Sequence, residues 1–156
     1  MSSPLSIAIA GTRGVPPRYG GFETFAAELS TRLVRRGHHV AVYCREGLDD
    51  GGHTGQMWQG VERIVVPYLH GKYFETVTHT IFSAFDAIGR GFDVVLLCNA
   101  ANAATLPLFR AFRIPVAINV DGIERHRRKW NALGRAVYAA GESLSVLFAD
   151  RVVADA

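Results

Sequence analysis

Four consecutive apolar residues, Ile7 to Ala10, run directly into a glycine-rich stretch that opens into a long amphipathic segment, G-T-R-G-V-P-P-R-Y-G-G-F-E-T-F-A-A-E-L-S-T-R-L-V-R-R-G from Gly11 to Gly37. No other feature restricts the fold as much. A run that is apolar on successive residues suits a strand covered on both faces, here Leu5 to Ala10. Phe22, Phe25, Ala26, Leu29 and Leu33 then recur on one face of a helix, with Glu28 and Arg32 four apart on its polar side. Gly37 supplies the C-terminal glycine of that helix, and His39 to Cys44 is a second short apolar run. Strand, loop, helix, short turn and strand make a βαβ unit, whose right-handed crossover leaves the two strands parallel.

The alternation continues along the chain. Arg45 to Gly60 carries Gly51, Gly52, Gly55 and the adjacent Asp49 and Asp50 with no hydrophobic period, which predicts a loop. Val61 to Val66 is a third strand, stopped by Pro67, and Phe74, Val77, Ile81, Phe85 and Ile88 repeat at helical spacing before Gly89 and Gly91. Asp93 to Cys98, D-V-V-L-L-C, has the most buried-looking strand pattern. The alanine-rich segment Asn99 to Arg113 predicts a helix that Pro107 starts, kinks or divides. Pro115 to Val120 is a fifth strand, Trp130, Leu133, Val137, Leu144 and Phe148 mark a long helix, and Arg151 to Ala154 begins a sixth strand. Six short strands alternating with helices predict one α/β domain over residues 1–156, an α/β/α sandwich with a mainly parallel sheet. A chain ending on a strand with no closing helix is expected to be the N-terminal piece of a longer protein.

Composition narrows the function. No apolar run approaches the ~20 residues of a membrane span, and Met-Ser-Ser-Pro does not open a secretory leader, so a cytoplasmic protein is expected. Cys44 and Cys98 end apolar runs without metal-like spacing and read as buried free thiols. A net charge of +3 suits an anionic substrate or a membrane surface and is no mark of nucleic-acid binding. The six histidines show no zinc-ligand spacing, so no metal is assigned, and no G-x-S-x-G elbow is present.

The glycine loop combines three features of an anion site. Its glycines let backbone N–H groups approach a ligand, a helix N-terminus follows, and Arg13 and Arg18 lie within it. It is neither G-x-G-x-x-G nor a P-loop, because Gly11 and Gly14 are three apart and no Gly-Lys-Ser/Thr follows. The competing reading is a long turn whose glycines only permit tight packing. Ligands of open parallel sheets sit beyond the carboxyl ends of the strands. Besides Arg13 and Arg18, these ends carry Arg45 and Glu46, Asn99 and Asn102, and Asp121, Gly122, Glu124 and Arg125. Asp121 could accept hydrogen bonds from sugar hydroxyls or cap a turn. The cluster Arg125, His126, Arg127, Arg128, Lys129, Trp130 is either a solvated helix approach or a site for pyrophosphate or anionic headgroups.

With those residues on view, the chain resembles the N-terminal domain of a GT-B glycosyltransferase of the retaining family-4 kind, in particular the bacterial rhamnosyltransferase-like group. G-T-R-G-V-P-P-R-Y-G-G-F-E-T-F, R-G-H-H-V-A-V-Y-C-R, V-D-G-I-E-R-H-R-R-K-W and A-D-R-V-V-A-D carry the resemblance over nearly the whole chain. It implies two Rossmann-like domains facing across a cleft, with the acceptor held mainly by this one and the nucleotide-sugar by the other. It places Gly20 and Gly21 near the donor phosphates, whose charge Arg13 and Arg18 would also suit, and Asp121 near the transferred sugar as the catalytic candidate. Tyr19, Glu23, Asn99, Glu124, Arg125 and Lys129 are the acceptor or cleft candidates, although Glu23 could simply complement the helix dipole. The family's nucleotide-binding half, with its paired glutamates, has no counterpart in these residues, so this chain alone is expected to be inactive. The implied partners are a nucleotide-sugar donor and a glycan or lipid-linked acceptor, with peripheral contact at the inner face of the membrane and no metal or other cofactor. Two rivals remain: a dinucleotide-binding oxidoreductase, for which the glycine spacing is wrong, and a non-catalytic binding module of the same fold.

Overall fold

The computed structural model describes residues 3–18, 20–47, 55–71, 74–120 and 132–154. In chain order they form β1 (Ser6–Ala10), α1 (Gly21–Arg35), β2 (His39–Arg45), β3 (Met57–Trp58), β4 (Val61–Val66), α2 (Phe74–Arg90) and β5 (Val94–Cys98). A 3-10 helix (Ala100–Thr105), α3 (Leu106–Ala111), β6 (Val116–Val120), α4 (Ala132–Phe148) and β7 (Arg151–Ala154) complete them. One sheet orders the strands β3-β4-β2-β1-β5-β6-β7, all parallel except β3.

The expected elements are present at nearly the expected bounds, with one strand more than predicted. β3 falls within the segment expected to be a loop. It pairs with β4 through a two-residue turn at Gln59 and Gly60, both at positive φ (49° and 81°), the twist that a tight hairpin needs. Pro107 divides its segment: the 3-10 helix ends at Thr105, and α3 begins with the proline in its first turn, where the missing N–H costs nothing.

Alternation along the strands builds two apolar layers. Ile7, Ile9, Val40, Val42 and Cys44 join Val15, Ala26 and Ala27 under α1, while Ala8, Ala10, Ala41, Tyr43, Ile64 and Leu97 join Ala84, Ala87, Leu106 and Phe109 on the other face. β2 is the most buried strand, with every residue after His39 enclosed, because it lies between β1 and β4 with a helix over each face. β5 was expected to hold that place, but its Val94 and Leu96 are only half-buried.

α2 faces the other way from what its large residues suggest. Thr80, Ser83, Ala84 and Ala87 are buried, and the two alanines pack with Ala8, Ala10 and Ala41 of the sheet, which leave room for a close approach. Val77, Ile81, Phe82 and Phe85 point outward, Phe85 with 59% exposure. Tyr43 crosses the contact and donates its hydroxyl to Asp86 Oδ2 at 2.8 Å. Cys44 and Cys98 are buried thiols outside any disulfide. Among the described residues no helix is long and apolar enough to cross a membrane.

Candidate functional site

Strand order reverses at β1, whose neighbours are β2 on one side and β5 on the other, so a crevice opens at the carboxyl ends of these strands. The loop from Gly11 to Gly20 crosses that end. Two of its glycines have reasons internal to the fold. A side chain at Gly11 would run into the Cys98 carbonyl, and one at Gly14 would lie 2.6–2.8 Å from Cys44. The loop therefore lies directly on β2 and β5, and the Thr12 hydroxyl accepts the Gly14 N–H at 3.1 Å to fix the turn.

Gly20 and Gly21 differ from each other. Gly20, at φ 117°, is the N-cap residue of α1, and a side chain there would meet the Glu23 carboxylate. Gly21 opens the helix with nothing within 4 Å of where a side chain would stand. No contact inside the described fold demands glycine at that position, and the first-turn N–H groups of α1 lie beside this open space.

Glu23 does more than complement the helix dipole. Its Oε1 accepts the Arg13 N–H at 3.2 Å, which ties the first turn of α1 back to the loop, and the residue is buried. Arg13 accepts the Arg45 N–H at its carbonyl, 3.1 Å away, and its side chain is exposed, as is Arg18. The fold thus gathers Arg13, Gly20, Gly21 and Glu23 at one point.

On the β5 side the asparagines hold the fold. Asn99, at φ 74°, caps the 3-10 helix by accepting the Ala101 N–H at 3.0 Å. Asn102 is buried and donates to the Cys98 carbonyl at 2.7 Å and the Gly11 carbonyl at 3.4 Å, joining β5 to the loop after β1. Thr80 Oγ1 lies 2.8 Å from both Asn102 Oδ1 and the Thr76 carbonyl. The remaining candidates, Tyr19, Asp121, Glu124, Arg125 and Lys129, lie outside the described residues.

On the β2 side the structure gives partners to Arg45, which the strand-end reading had named, and adds groups that it had not. The Arg45 guanidinium is buried, donates from Nη2 to Thr76 Oγ1 at 2.8 Å, pairs with Glu75 Oε2 at 3.5 Å and stands 5.7 Å from the centre of the Tyr68 ring. Burial, and then the nearby Arg13 charge, lower its pKa from the usual arginine value. His79, on the adjoining turn of α2, is buried outright, which lowers its pKa to about 4 despite a hydrogen bond with the Cys44 backbone. Burial also pushes the Cys44 thiol up, so it is no ready nucleophile. Tyr68 and His70 follow Pro67 at the end of β4, where the strand-end rule that named Arg45 and Glu46 would also have found them.

Comparison with known proteins bears on the family and the fold. A family model described as glycosyl transferase 4-like domain matches residues 20–156. Among solved structures, sucrose-phosphate synthase from Thermosynechococcus elongatus superposes with a TM-score of 0.74 at 16% identity, over 95% of this chain and 41% of that one. The chain therefore spans about two fifths of that synthase. A UDP-galactose 4-epimerase aligns over 75% of this chain and 55% of its own, at 12% identity and a TM-score of 0.46. No curated protein matches the sequence.

Proposed function

Since the chain belongs to the glycosyl transferase 4-like family and folds as one Rossmann-like half of a GT-B enzyme, we propose that it forms the acceptor-side half of a hexosyltransferase. On this reading the enzyme moves a hexose, rhamnose being one candidate, from a nucleotide-sugar to a glycan or lipid-linked acceptor, with retention at the anomeric carbon. A second domain holds the nucleotide, and the reaction runs in the cytoplasm or at the inner face of the membrane.

The observation that carries the reading is the open space at Gly21, at the N-terminus of α1 and beside the exposed Arg13 side chain. In glycosyl transfer from a nucleotide-sugar the departing diphosphate gains negative charge as the glycosidic bond breaks. Preorganised N–H donors at a helix start stabilise such charge without reorganising, and the guanidinium groups of Arg13 and Arg18 reinforce them. Charge stabilisation then comes from this chain's own donors, and we assign no metal or other cofactor. Asp121 is the residue we assign to the transferred sugar.

The test uses the protein expressed from its native gene, assayed for nucleotide diphosphate release against a panel of nucleotide-sugars. We expect release that depends on one donor, and its loss in Gly21→Val with the fold retained by circular dichroism. Full turnover in that variant would remove the glycine loop from the mechanism.

A further inference from the structure

The crevice has two sides, which among the described residues differ in what they bring to the surface. Beyond β5, Asn102 is committed to two backbone carbonyls and the Asn99 Oδ1 to a helix cap. Beyond β2 and β4, a buried cation organises groups that reach the surface. Arg45 is 6% exposed, and its guanidinium holds Thr76, Glu75 and the Tyr68 ring in place at once. Its Nε has no hydrogen-bond partner among the described residues.

The groups so held come from two elements. Tyr68 packs edge-on against His70, ring centres 4.8 Å apart at 62°, in the connection between β4 and α2. That connection is tied to α2 at two points: the Leu69 N–H donates to Thr78 Oγ1 at 3.0 Å, and the Gly71 N–H to Glu75 Oε1 at 3.5 Å. His70 is exposed, and the Glu75 side chain is 38% exposed. An aromatic pair, a half-exposed carboxylate and a braced loop therefore stand together, one hydrogen bond from the glycine loop through Arg45 N–H and the Arg13 carbonyl, 3.1 Å apart.

We propose that Tyr68, His70 and Glu75 form the subsite for an uncharged sugar residue of the acceptor. A pyranose has an apolar C–H face and a rim of hydroxyl groups. The first suits an aromatic surface, and the second suits a carboxylate and an imidazole, since a hydroxyl donating to a carboxylate makes one of the stronger hydrogen bonds. Arg45 is a positioning residue that orients Tyr68 and Glu75 from behind. Its charge is already balanced by Glu75, so an anionic group entering here would face a carboxylate. Uncharged sugars are preferred on that ground, and phosphorylated or uronic ones are rejected. The proposal rests on the reading of this chain as the acceptor-side half of a transferase.

Two measurements on the protein expressed from its native gene test it. In the first, saturation-transfer NMR with methyl hexopyranosides and the matching methyl uronides reports binding directly. We expect signal from at least one hexoside, a weaker one from its uronide, loss of signal in Tyr68→Ala and His70→Ala, and its return in Tyr68→Phe. In the second, transfer to the best-bound hexoside gives steady-state constants. Acceptor KM should rise roughly three- to tenfold in His70→Ala and Tyr68→Ala, the range of one aromatic contact, with donor KM unchanged. His70→Ala alters an exposed side chain and keeps the test open should Tyr68→Ala fail to fold. Absence of hexoside signal in the wild type, preference for uronides, or an unchanged acceptor KM in a folded His70→Ala enzyme each overturn the subsite. Hexoside binding that depends on Tyr68 without any donor-dependent turnover would instead sink the transferase reading and leave the sugar site standing.

Discussion

His79 shows how one buried side chain imposes a pH dependence on the whole fold. The unfolded chain takes up a proton at the ordinary histidine value of 6.5, whereas the folded chain resists until about 4 because the imidazole is buried. The folded-state pKa is the lower one, so stability is complete above pH 6.5 and drains away as pH falls toward 4, below which this contribution levels off. The loss is on the order of 3 kcal/mol. Urea midpoints measured from pH 7.5 down to 5 should fall in the wild type and stay nearly flat in His79→Gln. Equal slopes in the two proteins would show that His79 is not the group responsible. Individual residues were also where the sequence was hardest to read. The glycine loop was visible as a motif, yet nothing in the letters separates Gly14, needed because β2 passes under it, from Gly21, where nothing presses. That difference lies in contacts with Cys44, some thirty residues away. Tyr68 and His70 carry no charge or glycine signal and went unnamed although they follow a strand end, and the placement of Tyr68 over Arg45 and against His70 is what marks them as site candidates.

At the scale of elements, periodicity revealed that α2 exists and left open which way it faces. Phe74, Val77, Ile81, Phe85 and Ile88 have the spacing of a core stripe, and burial of large apolar side chains is the ordinary expectation for such a stripe. Ile88 does pack against the core, but at Val77, Ile81 and Phe85 the fold instead turns small residues inward, since the sheet beneath offers Ala8, Ala10 and Ala41 and the helix must come close for Tyr43 to reach Asp86. The choice between the two faces was made by strands that the helix does not adjoin in sequence. Phe85→Ser should therefore change stability by less than about 0.5 kcal/mol, as surface substitutions do. Ala84→Leu, on the face that looked less important, should cost about 1–3 kcal/mol by overpacking. Thermal melts of the two variants compare them directly, and a larger loss in Phe85→Ser would mean that α2 is rotated from the orientation described. The two-residue β3 escaped notice for a related reason, because Gln59-Gly60 is a weaker hairpin signal than Asn-Gly.

For the whole molecule, the strand order was not spelled out by any local pattern, although the parallel α/β class was. Alternating strands and helices fix the class through the handedness of each crossover. Whether the chain continues outward or returns past β1 depends on which edge each new strand finds, and it is the return after α2 that creates the crevice beside β1. The same arrangement makes one cooperative unit of the two apolar layers. β1 sends Ile7 and Ile9 toward α1 and Ala8 and Ala10 toward α2, so neither layer can open without pulling apart strands that the other is packed on. Ile9→Ala and Leu97→Ala remove fully buried side chains from opposite layers, and each should cost about 2–5 kcal/mol. For a chain of this length that is a fall of roughly 4–20 °C in Tm. Because the layers share their strands, both variants should still melt in a single step, with far-UV and near-UV circular dichroism following the same curve. A variant in which the near-UV signal is lost well before the far-UV one would mean that its layer opens alone. The site would then sit on two bodies free to move against each other at β1, the strand whose loop carries Arg13 and leads to Gly21.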